Sequence, residues 1–134
     1  MKEIKDSGAR QEFASGAVRD ITGQKPRPDL ISPFFMERLG QHLGQGAKKY
    51  SPWNWAKGIP NSRCYESLMR HLMQFAKGDT DEDHLAAAAC NLMFMIHNEE
   101  VGKQMRPMLG PMDGLLVDMP IFHDLGGEDV EDMQ

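Results

Sequence analysis

One stretch limits this chain more than any other. From Leu85 to Ile96 the sequence runs Leu-Ala-Ala-Ala-Ala-Cys-Asn-Leu-Met-Phe-Met-Ile, with Asn91 its single polar residue. Alanine, leucine and methionine favour a helix, and the run is too long for an ordinary strand. Wound at 3.6 residues per turn it is apolar on every side, so it has to be the central, buried helix of the fold. It is far shorter than the ~20 apolar residues that cross a bilayer.

Two more helices are legible around it. Thr80-Asp81-Glu82-Asp83 reads as a capping box opening the central helix, a threonine with an acid three residues on. Upstream, Tyr65, Leu68, Met69, Leu72, Phe75 and Ala76 recur at helical spacing, with Arg63, Glu66, Arg70, Gln74 and Lys77 opposite. That predicts a helix from Asn61 or Ser62 to Lys77, ended by Gly78. The short turn between the two makes them an antiparallel hairpin. A first helix is expected to start at Ser32-Pro33, a hydroxyl cap followed by proline. Its Phe35, Leu39, His42, Leu43 and Gly46 share one face. Gly40, Gly44 and Gly46 weaken it by ~1 kcal/mol each relative to alanine, and let another backbone or a ligand approach.

The rest is irregular. Lys48 to Pro60 is a loop punctuated by Pro52, Gly58 and Pro60, and it holds both tryptophans. Residues 1–32 contain Gly8, Gly16, Gly23, Pro26 and Pro28 with no sustained period, and read as an arm. After Arg106, prolines separate short apolar patches. The expected architecture is an all-α bundle over residues 1–106, the arm included, with a Pro-rich acidic extension over 107–134. Three helices are too few to surround the central one, so a homo-dimer or tetramer is expected to cover it.

Charge bounds the partners. The net charge is −5, but all 15 Lys and Arg lie at or before Arg106, against 13 Asp and Glu there. The last 28 residues carry seven acids and no base. A mildly basic body with an acidic tail lacks the dense basic face that a nucleic acid polymer needs, yet leaves room for a small phosphorylated ligand. The charged start, Met1 to Asp6, has no apolar core of a secretory leader, and neither a membrane nor a disulfide framework is expected. Cys64 and Cys90 read as two buried thiols of a cytoplasmic protein.

Three clusters carry possible chemistry. Arg19, Lys25 and Arg27 in the arm suit phosphate oxygens through guanidinium forks, ammonium charge and backbone amides. In the loop, Trp55 offers a stacking face, Asn54 can read a base edge, and Lys48, Lys49 and Tyr50 stand beside them. On the helical hairpin, Glu66, Arg70 and His71 face Asp81, Glu82, Asp83, His84 and Asn91, the raw material of a divalent-metal site. Capping alone explains Asp81 to Asp83, whereas an amide at Asn91 costs ~1–3 kcal/mol unless it finds a partner. No P-loop, dinucleotide fingerprint or nucleophile elbow is present.

Several strings are familiar in combination: Ser15-Gly16-Ala17-Val18-Arg19-Asp20, Gly23 to Pro33, Gly46-Ala47-Lys48-Lys49-Tyr50, Asn54 to Pro60, Arg70-His71, and Asp81 to Ala88 with Asn91. Over roughly Gly8 to Glu100 the chain resembles the phage-associated dATP/dGTP diphosphohydrolase N-terminal family, which stands near the all-α MazG-type pyrophosphohydrolases. The resemblance implies a cytoplasmic enzyme of an infected bacterial cell. It would split a purine deoxynucleoside triphosphate into monophosphate and pyrophosphate with Mg²⁺ or Mn²⁺. MazG-type enzymes hold metal with Glu-Glu-x-x-Glu on one helix and Glu-x-x-Asp on the next. Here only Glu66 is acidic on the second helix, and the expected acids of the third fall at Ala88 and Asn91. That leaves Glu66, Asp83, His84 and Asn91 as metal ligands, with Glu66, Arg70 and His71 as the catalytic group. Arg19, Lys25, Arg27, Lys48, Lys49, Tyr50, Asn54 and Trp55 are then the nucleotide contacts. The weakened acid pattern keeps a second reading open: a protein that needs no metal and sequesters a nucleotide immune signal intact.

Overall fold

The computed structural model describes residues 2–109, and it divides the chain into two compact units, 1–31 and 32–134. Each is described by itself. The extension read from the sequence lies outside the described residues, except that the third helix continues into it as far as Leu109.

The first unit corrects the expectation of an arm without regular structure. Strands β1 (Arg10–Glu12) and β2 (Val18–Asp20) pair antiparallel, with Gln11 opposite Arg19. The chain reverses between them on a turn in which the Gly16 amide donates to the Phe13 carbonyl at 2.8 Å. Gly16 sits at φ 88°, where a side chain would be strained, and so this position favours glycine. Asp20 then draws in Lys25 at 3.3 Å, and Arg27 pairs with Asp29 at 2.7 Å. One 3₁₀ turn at Pro28–Leu30 completes the unit.

The described part of the second unit is built on three helices, α1 (Pro33–Lys49), α2 (Asn61–Ala76) and α3 (His84–Leu109), joined by turns and one 3₁₀ stretch at Asn54–Lys57. The fold is therefore all-α apart from one small hairpin. Ser32 caps α1 as read, its hydroxyl accepting from the Phe35 amide at 3.3 Å. The helix runs on to Lys49, so Lys48 and Lys49 are its last turn rather than loop. Gly78 at φ 86° ends α2, with the Asp79 amide reaching back to the Gln74 carbonyl at 3.0 Å. The start of α3 differs from the expected capping box. The cap is Asp83, whose carboxylate accepts from the Ala86 amide at 3.1 Å, and Thr80 lies in the turn before it.

Helix α3 is central, packing along α2 and also against α1. Small residues make the contact: Cys64, Ala86, Ala87, Ala88 and Cys90 are buried, along with the polar Asn61, His71, His84 and Asn98. Among the described residues no large aliphatic or aromatic side chain is fully buried. As expected for three helices, the central one is covered on two sides only among the described residues, with Leu85, Leu92 and Ile96 exposed, Ile96 at 55%. One expectation changes on α2, where the described residues leave most of the apolar stripe uncovered. Tyr65, Met69, Leu72 and Phe75 are exposed, whereas Asn61, Cys64 and His71 are buried. The buried line of α2, Asn61, Cys64 and His71, runs along one margin of the stripe, and Arg63, Ser67, Arg70 and His71 line a cleft beside it. The periodicity of α2 identified the stripe but not that its margin is the side covered.

The loop of the two tryptophans is pinned to α3. Trp55 stacks on Phe94, ring centroids 5.4 Å apart and planes 15° from parallel, and meets the edge of His97 at 4.9 Å. Asn98 donates to the Ile59 carbonyl at 2.7 Å and to Asn61 Oδ1 at 3.0 Å. Trp53 stays exposed.

Candidate functional site

The cleft lies between the three helices, with a volume of about 480 Å³. From α1 come His42, Gln45, Gly46 and Lys49; from α2 Arg63, Ser67, Arg70 and His71; from α3 Asn91; and from the turn before it Glu82. These residues meet because α2 sets its His71 margin against α3, which leaves Arg63, Ser67 and Arg70 at the rim beside it. Three permanent cations, Lys49, Arg63 and Arg70, and two imidazoles face the cavity, against the single carboxylate of Glu82. Such a lining favours a polyanion, since charge-assisted hydrogen bonds to phosphate are the strong ones.

At one side of the cleft two buried histidines meet. His71 Nδ1 lies 2.9 Å from His84 Nδ1, and His84 Nε2 lies 2.8 Å from Asp81 Oδ1. A carboxylate accepts only, so Asp81 fixes a proton on His84 Nε2, and one further proton between the two Nδ1 atoms closes the contact. The hydrogen bond from His84 holds Asp81 below the usual carboxylate range. Burial, then the positive Arg70 beside it, pushes His71 below the ordinary imidazole value, so it is neutral at pH 7. The ligand atoms of His71, Glu82 and His84 all lie within 4.8 Å of one another.

The sequence-derived residues fall into separate places. Lys49, Tyr50, Arg70, His71 and Asn91 line the cleft. Tyr50, Asn54 and Trp55 line a smaller neighbouring hollow with Phe94, in which Trp55 is already stacked. Lys48 is exposed at the end of α1, and Arg19, Lys25 and Arg27 belong to the other unit. The four residues read as metal ligands do not converge. Glu66 pairs with Arg70 at 3.0 Å, and Asp83 pairs with Arg38 at 2.5 Å while capping α3. Asn91 finds the partner it needs in Ser67 Oγ at 3.1 Å and the Ala87 carbonyl at 2.9 Å. An oxygen-rich cage of the kind Mg²⁺ takes is therefore not assembled from these side chains. His42 and Arg63 join the site although neither was read as functional. The signal available was that Arg63 and Arg70 share one side of α2, with Glu66, Gln74 and Lys77.

A family model described as dATP/dGTP diphosphohydrolase, N-terminal, matches residues 15–107, well over half of the chain. The chain belongs to that family. No curated protein and no solved structure matches it. The matched span of this dATP/dGTP diphosphohydrolase-family chain takes in α1, α2, all but the last two residues of α3, and every cleft residue. Among the described residues no helix is long and apolar enough to cross a membrane.

Proposed function

We propose that the cleft binds a purine deoxynucleoside triphosphate and that the protein hydrolyses it to monophosphate and pyrophosphate, in the cytoplasm of a phage-infected bacterium. The observation that carries this is the lining: Lys49, Arg63 and Arg70 converge on a polar floor of Ser67 and Asn91, in a family named for that hydrolysis. In the reaction a water oxygen bonds to the α-phosphorus, the bond from that phosphorus to the α–β bridging oxygen breaks, and pyrophosphate leaves. The arginines and lysine stabilise the charge that gathers on the leaving group. Neutral His71 is the cleft group suited to take the proton that the water gives up. The exposed apolar side chains of α2 and α3 support a homo-oligomer that covers them.

One observation favours sequestration instead. Glu66 and Asp83, the best carboxylates for a catalytic metal, are each engaged by an arginine. Incubating the protein with dATP, dGTP and cyclic nucleotides, with Mn²⁺, Mg²⁺ or chelator, decides between the two. Monophosphate and pyrophosphate in equal amounts, lost on Arg63→Ala, support the hydrolase. Intact ligand recovered by heat from each cleft, with or without metal, replaces it with the sequestering protein. Nucleotide affinity untouched by Arg63→Ala would remove the cleft from both.

A further inference from the structure

We propose that His71, His84 and Glu82 hold a first-row transition-metal ion at the edge of the cleft, with Asp81 as the outer carboxylate that orients His84. Four observations converge on it. Two buried imidazoles present the same nitrogen to one point, 2.9 Å apart. That distance is a hydrogen bond and lies close to an edge of a coordination shell: nitrogens about 2.1 Å from one ion are about 3.0 Å apart at a right angle and about 3.4 Å apart at the tetrahedral angle, so an ion needs the rings to part by at most about half an ångström. The Asp81 carboxylate on His84 Nε2 leaves Nδ1 as the ligating atom, the arrangement by which metal-binding histidines are usually fixed. The Glu82 carboxylate has no hydrogen-bond or ion-pair partner among the described residues, and one of its oxygens lies within 4.8 Å of a ring nitrogen of each histidine. Finally, Glu82 and His71 line the cleft with Arg63 and Arg70, so positions left open on the ion face the cavity.

The donor set selects the metal. Two imidazoles and one carboxylate suit Zn²⁺, Co²⁺ or Mn²⁺, whereas Mg²⁺ takes oxygen ligands in near-ideal octahedral geometry and keeps its waters. Binding asks little of the protein. His84 already carries its proton on Nε2, and His71 needs only to hold its own proton on Nε2 for both Nδ1 lone pairs to meet the ion. In that state His71 has no free nitrogen, so it acts as a base only in the chain without the ion. Three protein ligands leave room for water or a phosphate oxygen, as open metal sites do. The assignment rests on these side chains and not on the hydrolase reading.

Stripping the full chain with chelator and titrating Co²⁺ tests this directly through the visible d–d absorption. The expected result is saturation at one equivalent per chain, reversal by Zn²⁺, and no reversal by a large excess of Mg²⁺. His71→Ala and His84→Ala should abolish the band. Because both rings are buried, Glu82→Gln and Asp81→Asn, at exposed positions, carry the test if the histidine variants do not fold. Each should weaken Co²⁺ at least tenfold while the far-ultraviolet spectrum is unchanged. Absence of the band in the folded wild-type protein, an unchanged affinity in Glu82→Gln, or competition by Mg²⁺ would each overturn the site. Nucleotide turnover in Mg²⁺ by a protein that takes up no Co²⁺ would overturn this assignment alone and leave the hydrolase standing.

Discussion

Asp83 offers a sharp test because the sequence made it a metal ligand and the structure gives it two other tasks. Its carboxylate receives Arg38 through Nε at 2.8 Å and Nη2 at 2.5 Å, and accepts the Ala86 amide at 3.1 Å. Asp83→Ala removes both. The cap is worth about 0.5–2 kcal/mol. The ion pair is bidentate, but with 34% of the Asp83 side chain exposed and Arg38 more so, solvent screening holds it to about 0.2–1 kcal/mol. The expected loss is about 1–3 kcal/mol. Asp83→Asn keeps a capping oxygen and loses only the charge, so it should cost about 0.2–1 kcal/mol. Urea unfolding followed by circular dichroism at one fixed protein concentration reads both, the fixed concentration removing any contribution from assembly. The pH dependence has a definite sign. Arg38, followed by the Ala86 amide, holds the Asp83 carboxyl down to about 2, below its ordinary 3.8. The advantage of wild type over Asp83→Asn is therefore fully present above the unfolded value and disappears as pH falls through the folded one. Equal costs for the alanine and asparagine variants would refute the capping role. Loss of Co²⁺ uptake in Asp83→Asn at unchanged stability would make Asp83 a ligand after all.

Three further outcomes follow from the packing. Asn98→Leu removes two hydrogen bonds and takes the donor from the Ile59 carbonyl, so it should cost about 2–4 kcal/mol in the same unfolding assay; a loss under about 0.5 kcal/mol would contradict the pinning of the loop. Both cysteines are buried, and burial with the Asp83 charge pushes the Cys90 thiol up to about 11. Neither thiol should react with a disulfide reagent at pH 8 until the protein is unfolded, and rapid labelling of the native chain would count against the helix packing. Sedimentation equilibrium should give a multiple of 15.1 kDa, reduced by Leu92→Glu on the exposed side of α3; a wild-type mass of one chain at micromolar concentration would remove the oligomer.

What the sequence disclosed and withheld has a physical pattern. Ser32-Pro33, Gly78 and the apolar run after His84 act locally, through one cap, one positive φ and one composition, and each placed a helix end or a helix centre within a residue or two. The hairpin escaped because strands of three residues are too short to show a period, and its turn rests on Gly16 alone. Thr80 competed with Asp83 for the same cap, and both satisfy the short-range rule; the contact from Arg38, 45 residues away in sequence, lies beyond any local pattern. The same limit applies to the candidate site. His71 and His84 were each legible as candidates, but their meeting nitrogen to nitrogen depends on the rotation of α2, which no periodicity fixes. Trp55 read as a stacking platform for a base, and its partner proved to be Phe94 on another element.

The two-faced character of α2 has a consequence for how this protein can vary. An ordinary amphipathic helix spends one side on solvent, where substitutions drift freely. Here one side carries Arg63, Ser67, Arg70 and His71 into the cleft, and the other presents Tyr65, Met69, Leu72 and Phe75. If a second copy covers that apolar side, as the proposed homo-oligomer requires, few of its sixteen positions remain idle. A saturation scan should then find α2 nearly as intolerant as the core of α3. The residues most exposed in the isolated chain would be among those that accept the fewest replacements, and exposure in one copy would be a poor guide to evolutionary freedom.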